Sequence, residues 1–127
     1  MLADRSAKKG AASEHCGWLY KRGGLNPAFK RRFFVLRQST LAYYDADDSK
    51  TPKGELALLG ATCEAVTGGS GDRERFELTV LEQGQQGRKF VLETIEGAAR
   101  DSMGLRPREA WIAKLVLAST AQSDQRR

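Results

Sequence analysis

Six basic side chains, Lys21, Arg22, Lys30, Arg31, Arg32 and Arg37, fall within residues 17–37, and no acidic residue lies among them. Such a concentration is chemistry for negative charge. A lysine ammonium is a compact point charge, and an arginine guanidinium is a planar fork that can hold one phosphate through two bonds. Successive side chains of an extended strand alternate between faces. Lys21 then shares a face with Leu19, and Lys30 and Arg32 share theirs with Phe34 and Leu36, whereas Arg22, Arg31 and Arg37 have the opposite parity. With the apolar members facing a core, Lys21, Lys30 and Arg32 stand on the core side of the strands, at the end nearest the turn at 23–29. A tight turn at Gln38-Ser39 pairs Phe34 with Tyr43 and leaves Arg32 diagonal to the Tyr43 hydroxyl. The expected result is a basic mouth with a phenol at its lip. It suits a multiply phosphorylated head group: each charge-assisted bond contributes about 1.5–3 kcal/mol, so three or four support micromolar or better binding after ordering costs.

Other chemistries find no such set of residues. The one histidine, His15, lies in a polar N-terminal stretch, so neither a histidine-based nucleophile nor a histidine metal site is expected. Gly68-Gly69-Ser70-Gly71 lacks the Lys-Ser/Thr pair and helix that complete a phosphate-binding loop, and reads as a hairpin turn. The acids Glu74, Glu77, Glu93 and Glu96 read as solvated strand faces. Cys16 and Cys63 have no metal-ligand spacing and no signal peptide before them, so they read as reduced thiols of a cytosolic chain, with Cys16 a small strand residue rather than a lipidation site. Neither a cofactor nor a metal is expected, and the chain does not read as an enzyme.

The totals agree. With 127 residues there is room for one domain, and 40% hydrophobic with 29% charged residues is the balance of an ordinary globular protein. Of the net charge of +5, the basic excess is concentrated early: residues 18–53 hold eight bases and three acids, residues 54–127 ten bases and eleven acids. No apolar run approaches the roughly 18 residues that span a bilayer, so any membrane contact is expected to be peripheral.

The elements that position the basic set follow from period and punctuation. Residues 1–15 and 121–127 read as disordered tails around a domain at 16–120. Short alternating runs predict strands at 16–22, 30–37, 40–46, 54–58, 62–66, 74–81 and 88–94, separated by glycine, proline, serine and aspartate clusters. The period then lengthens. Pro107 and Glu109 suit a first helical turn, and Trp111, Ile112, Leu115, Ala118 and Ser119 fall on one face of a helix over 107–120. The connection at 95–106 is expected to be a mobile insertion with one helical turn at 98–103. Together these predict a mainly β fold, a seven-stranded, partly open barrel of two orthogonal antiparallel sheets capped by one C-terminal α-helix.

The run Gly17-Trp18-Leu19-x-Lys21, the bases before Phe33-Phe34-Val35-Leu36, Leu41-x-Tyr43-Tyr44, Gly54, Phe76-x-Leu, Phe90-x-Leu and Trp111 together resemble a pleckstrin homology domain over about 16–120. The resemblance implies a phosphoinositide head-group motif of Lys21, eight intervening residues and Lys30-Arg31-Arg32. It also matches Tyr43 to a tyrosine that contacts phosphate and Lys53 to a further basic contact. The loop Gly23 to Phe29 carries no base, unlike that of some tight binders. Arg22, Leu25 and Arg31 are expected to touch the membrane outside the pocket. The implied function is recruitment of a cytoplasmic, monomeric protein to a membrane surface by an anionic lipid, a polyphosphorylated phosphoinositide. The alternatives are a simpler anionic lipid such as phosphatidic acid on the wider basic face, and a protein partner at a sheet edge or helix groove. Nucleic acid is disfavoured, because the aromatics have core explanations.

Overall fold

The computed structural model describes residues 15–23, 26–82 and 85–120. It contains seven strands, β1 (His15–Gly23), β2 (Asn26–Arg37), β3 (Thr40–Tyr44), β4 (Gly54–Ala57), β5 (Thr62–Val66), β6 (Arg75–Glu82) and β7 (Gln85–Thr94), followed by the helix α1 (Pro107–Thr120). Strand parity decides what is buried. Leu19 of β1, Phe34 and Leu36 of β2, Leu41 of β3, Leu56 of β4, Phe76 and Leu78 of β6 and Phe90 and Leu92 of β7 turn to one side and form a single core with Trp111, Leu115 and Ala118 of α1. The two-residue link Gln38-Ser39 joins β2 to β3, with Gln38 in the left-handed region at φ 52°. Tight hairpins demand that backbone, and it sets the register Phe34↔Tyr43 that the sequence predicts.

All seven strands are antiparallel and lie in one hydrogen-bonded sheet ordered β4-β3-β2-β1-β7-β6-β5. The two expected sheets meet in β1, which pairs with β2 along its length and with β7 over Leu19–Arg22. β4 and β5 are the two edges, so the sheet does not close on itself. α1 lies against β5 and touches β6 and β7. Trp111 and Leu115 are 4% and 1% exposed, as their helical spacing requires.

Element bounds differ from expectation in both directions: pairing outlasts the hydrophobic pattern at the starts of β1 and β2, whereas β3 stops at Tyr44 rather than 46 and β4 at Ala57 rather than 58. His15 belongs to β1 and pairs with Leu36, rather than to a tail. β2 begins at Asn26, which pairs with Gly23, so Phe29 is a strand residue ahead of the expected start at Lys30 and the link is shorter than the predicted loop. The expected disordered tails otherwise lie outside the described residues, as does Leu25.

The segment 95–106 has no helical turn. Asp101 Oδ1 accepts the backbone N–H groups of Met103 and Leu105, both at 2.9 Å. Backbone bonds Asp101 N–H to Leu105 O and Gly104 N–H to Asp101 O, each 2.9 Å, close the turn. An aspartate that bonds its own downstream amides competes with helix formation. The Gly97 N–H also donates to Asp72 Oδ2 at 3.0 Å, and Arg106 pairs with Glu74, so the expected mobile insertion is tied to the β5–β6 connection.

Candidate functional site

The predicted basic residues divide between the two faces of the β1–β2 hairpin. Lys21 and Lys30 are direct cross-strand partners, and Arg32 lies opposite Leu19, on the face that carries the core. The half-buried Lys21 ammonium sits 4.8 Å from the Tyr43 ring centroid and 5.2 Å from that of Phe90. Burial, followed by the charges of Arg32 and Arg88, holds it below the usual lysine range. Arg32 is oriented by a 2.9 Å bond from Nη1 to the Arg31 carbonyl, and its side chain is 20% exposed. Lys30 is exposed at the rim.

Tyr43 is placed from both sides. Its ring leans on Phe34 at 5.5 Å between centroids. Opposite it, in register on β4, stands Gly54. A Cβ there would come within 2.9 Å of Tyr43 Cε1 and closer still to the hydroxyl, so only glycine leaves room for the phenol. The Lys53 N–H donates to the Tyr43 carbonyl at 2.7 Å, which returns the β3–β4 loop to the mouth. Lys53 Nζ and Arg32 Nη1 each lie 3.7 Å from a different oxygen of Asp45.

Lys21, Arg32, Tyr43 and Lys53 therefore converge, with Lys30 at the edge. Sequence reasoning missed Arg88, whose guanidinium lies 4.9 Å from the Phe90 ring and whose charge reaches Lys21. Its alternation with Phe90 and Leu92 was visible, but the pairing of Lys21 with Leu92 that brings β7 beside β1 was not. The arrangement gathers several cations on one side of the sheet, chemistry suited to an anion.

On the opposite face, the Arg22 guanidinium stacks on Phe29 at 4.9 Å and Arg31 on Trp18 at 4.6 Å. Beside them Arg73 lies 3.6 Å from the Tyr20 ring and Arg75 lies 5.3 Å from Phe29. Here one expectation fails. Glu93 is not solvated: it is 2% exposed, with Arg73 Nη2 at 2.7 Å on one oxygen and Arg75 Nη2 at 2.6 Å on the other. Its parity is outward, but Arg73 on the β5–β6 connection and Arg75 on β6 fold over it. Glu74 pairs with Arg106, and Glu77 with Lys89 at 3.3 Å, so those carboxylates are likewise engaged.

Two concavities lie elsewhere. One of about 180 Å³ is lined by Asp72, Glu74, Arg100 and Arg106 among others. The other, about 230 Å³, lies between His15, Trp18, Asp101 and Trp111. Neither includes a residue of the basic mouth. In the second, burial and then Lys114 push the His15 imidazole below its usual range, against the opposing pull of Asp101. Burial, with Glu64 nearby, pushes the Cys63 thiol up to about 12, which disfavours its thiolate. Among the described residues no three His, Cys, Asp or Glu side chains gather as a metal site, and no helix is long and apolar enough to cross a membrane.

The family model for the PH domain matches residues 13–100. The chain is 37% identical over 109 residues to mouse Sesquipedalian-1 and 35% identical over 109 residues to the human protein, each match covering 86% of this chain. It spans 36% of the mouse relative and 39% of the human one. Among solved structures, the C-terminal PH domain of pleckstrin superposes with a TM-score of 0.61 at 26% identity, covering 83% of this chain and 94% of that one. The same domain in complex with an inositol pentakisphosphate gives 0.58 at 25% identity, covering 83% of this chain and 96% of that one.

Proposed function

The chain belongs to the pleckstrin homology domain family, and from that premise we propose that it is a membrane-targeting module that recognises an anionic phospholipid head group, a polyphosphorylated phosphoinositide, at the mouth formed by Lys21, Lys30, Arg32, Tyr43, Lys53 and Arg88. The observation that carries the proposal is the half-buried Lys21, held among Arg32, Arg88 and two aromatic rings with its ammonium disfavoured. A site that gathers like charges at a cost to itself is relieved by an anion. The inositol pentakisphosphate held by the pleckstrin domain supports the ligand class.

On this reading the module is cytoplasmic and monomeric, visits the membrane reversibly and catalyses nothing. Arg22 and Arg31 lie on the other face of the hairpin and add long-range attraction, about 1 kcal/mol each near an anionic bilayer. Liposome sedimentation with Lys21→Ala and Arg32→Ala, with soluble inositol polyphosphate as competitor, tests the assignment. Loss of binding in both variants and competition by the soluble ligand are expected; undiminished binding by both would remove the pocket.

Phosphatidic acid bound on the wider face is the second reading, favoured by the stacked, outward Arg22 and Arg31. It predicts binding that soluble inositol phosphates barely compete and that survives Lys21→Ala. A protein partner is favoured by exposed Val116 and Leu117 on α1, which flanks the edge strand β5; it predicts lipid-independent capture of a peptide.

A further inference from the structure

Asp45 is an acid that faces two cations of the mouth, Arg32 and Lys53, through ion pairs. It follows the last residue of β3, and the β3–β4 loop is drawn back toward it by the bond from the Lys53 N–H to the Tyr43 carbonyl. A turn at 46–49, closed by Ser49 N–H to Ala46 O and by Ala46 N–H to Ser49 Oγ, both 3.2 Å, holds the loop in shape. The carboxylate spans two cations, with Oδ1 3.7 Å from Arg32 Nη1 and Oδ2 3.7 Å from Lys53 Nζ. One oxygen per cation is how a phosphate would bridge the same pair. At 3.7 Å neither contact is a direct hydrogen bond, and the Asp45 side chain is 61% exposed, so this anion is loosely held and displaceable.

Building on the head-group reading above, we infer that Arg32 and Lys53 form a second phosphate subsite whose resting occupant is Asp45. A first phosphate docks beside Lys21 and Arg88 without disturbing it. A second, adjacent phosphate must displace the carboxylate, which is tethered a few residues away and therefore competes at high effective concentration. Asp45 thereby lowers affinity for adjacent bisphosphates while leaving monophosphates nearly untouched, and so sets the selectivity of the mouth.

Calorimetric titration of the full chain with two soluble probes tests this, an inositol trisphosphate carrying two adjacent phosphates and an inositol monophosphate. The release of two exposed ion pairs corresponds to a gain on the order of tenfold, so Asp45→Asn is expected to tighten the trisphosphate by about that factor. The monophosphate should change by less than about threefold. Asp48→Asn, the same change of net charge in the same loop, should move neither probe by more than about threefold. Equal tightening of both probes, an equal effect of Asp48→Asn, or no gain at all overturns the inference. Lys21→Ala separates the two levels: if it leaves trisphosphate binding intact, the head-group reading itself fails, whatever Asp45 does. A trisphosphate that binds neither the wild type nor Asp45→Asn overturns both.

Discussion

Replacing Glu93 by glutamine keeps the shape of a buried side chain and removes its charge. Glu93 is 2% exposed and holds Arg73 and Arg75 through contacts of 2.6–2.7 Å, including one from Arg75 Nε. Breaking a buried ion pair by deleting one partner costs about 3–5 kcal/mol, because the remaining charge is left uncompensated. Here the side chains of Arg73 and Arg75 retain 18% and 26% exposure and can regain some water, which places the cost near the lower end, about 3 kcal/mol. The glutamine amide also presents donors to guanidinium donors and restores little. Urea unfolding followed by tryptophan fluorescence measures the change, with an unaltered m value showing that the transition itself is the same. For a domain of about 100 residues this corresponds to a fall in Tm of roughly 12–24 °C. Head-group binding, measured below the transition, should persist, because Glu93 is on the face of the sheet opposite Lys21. A cost below about 1 kcal/mol would refute the reasoning, since that is the range of a hydrated surface pair.

Lys21→Met should weaken inositol polyphosphate binding roughly 10–150-fold, the equivalent of one charge-assisted contact, while leaving urea stability unchanged or higher, because the fold disfavours the Lys21 charge. Loss of stability with binding intact would assign Lys21 to the core instead. Gly54→Ala drives a Cβ into the Tyr43 ring and should cost about 1–3 kcal/mol in unfolding titrations while weakening head-group binding several-fold; unchanged values in both assays would mean that the phenol can lie elsewhere at no cost. His15 is held neutral below its ordinary value of 6.5, so the unfolded chain takes up its proton first. Stability should therefore fall as pH drops through 6.5 and level off below the depressed folded value. Thermal melts of wild type and His15→Phe across that window should diverge, and parallel profiles would show that His15 is not the group responsible.

The inward set Lys21, Lys30 and Arg32 and the pairing of Phe34 with Tyr43 were legible in the sequence, because both depend on a two-residue period and a two-residue turn. Trp111 was legible as core for the same reason, through helical spacing. The 98–103 turn failed because one side-chain oxygen, on Asp101, outweighed a weak helical pattern. Leu25, expected to touch the membrane, lies outside the described residues.

Glu93 shows where sequence stops. Parity placed it correctly on the outward face, and outward faces are usually wet. Only the path of the β5–β6 connection brings Arg73 back over it, closing contacts between residues twenty positions apart. Arg88 joins the mouth through the β1–β7 pairing, and Asp45 enters it through a loop whose return point is a backbone bond to Tyr43. The sequence alone determined which side of each strand carries charge, since alternation is a property of a few neighbouring residues. Which charges meet was decided by the tertiary structure, because strand order and loop closure depend on burial summed over the whole chain.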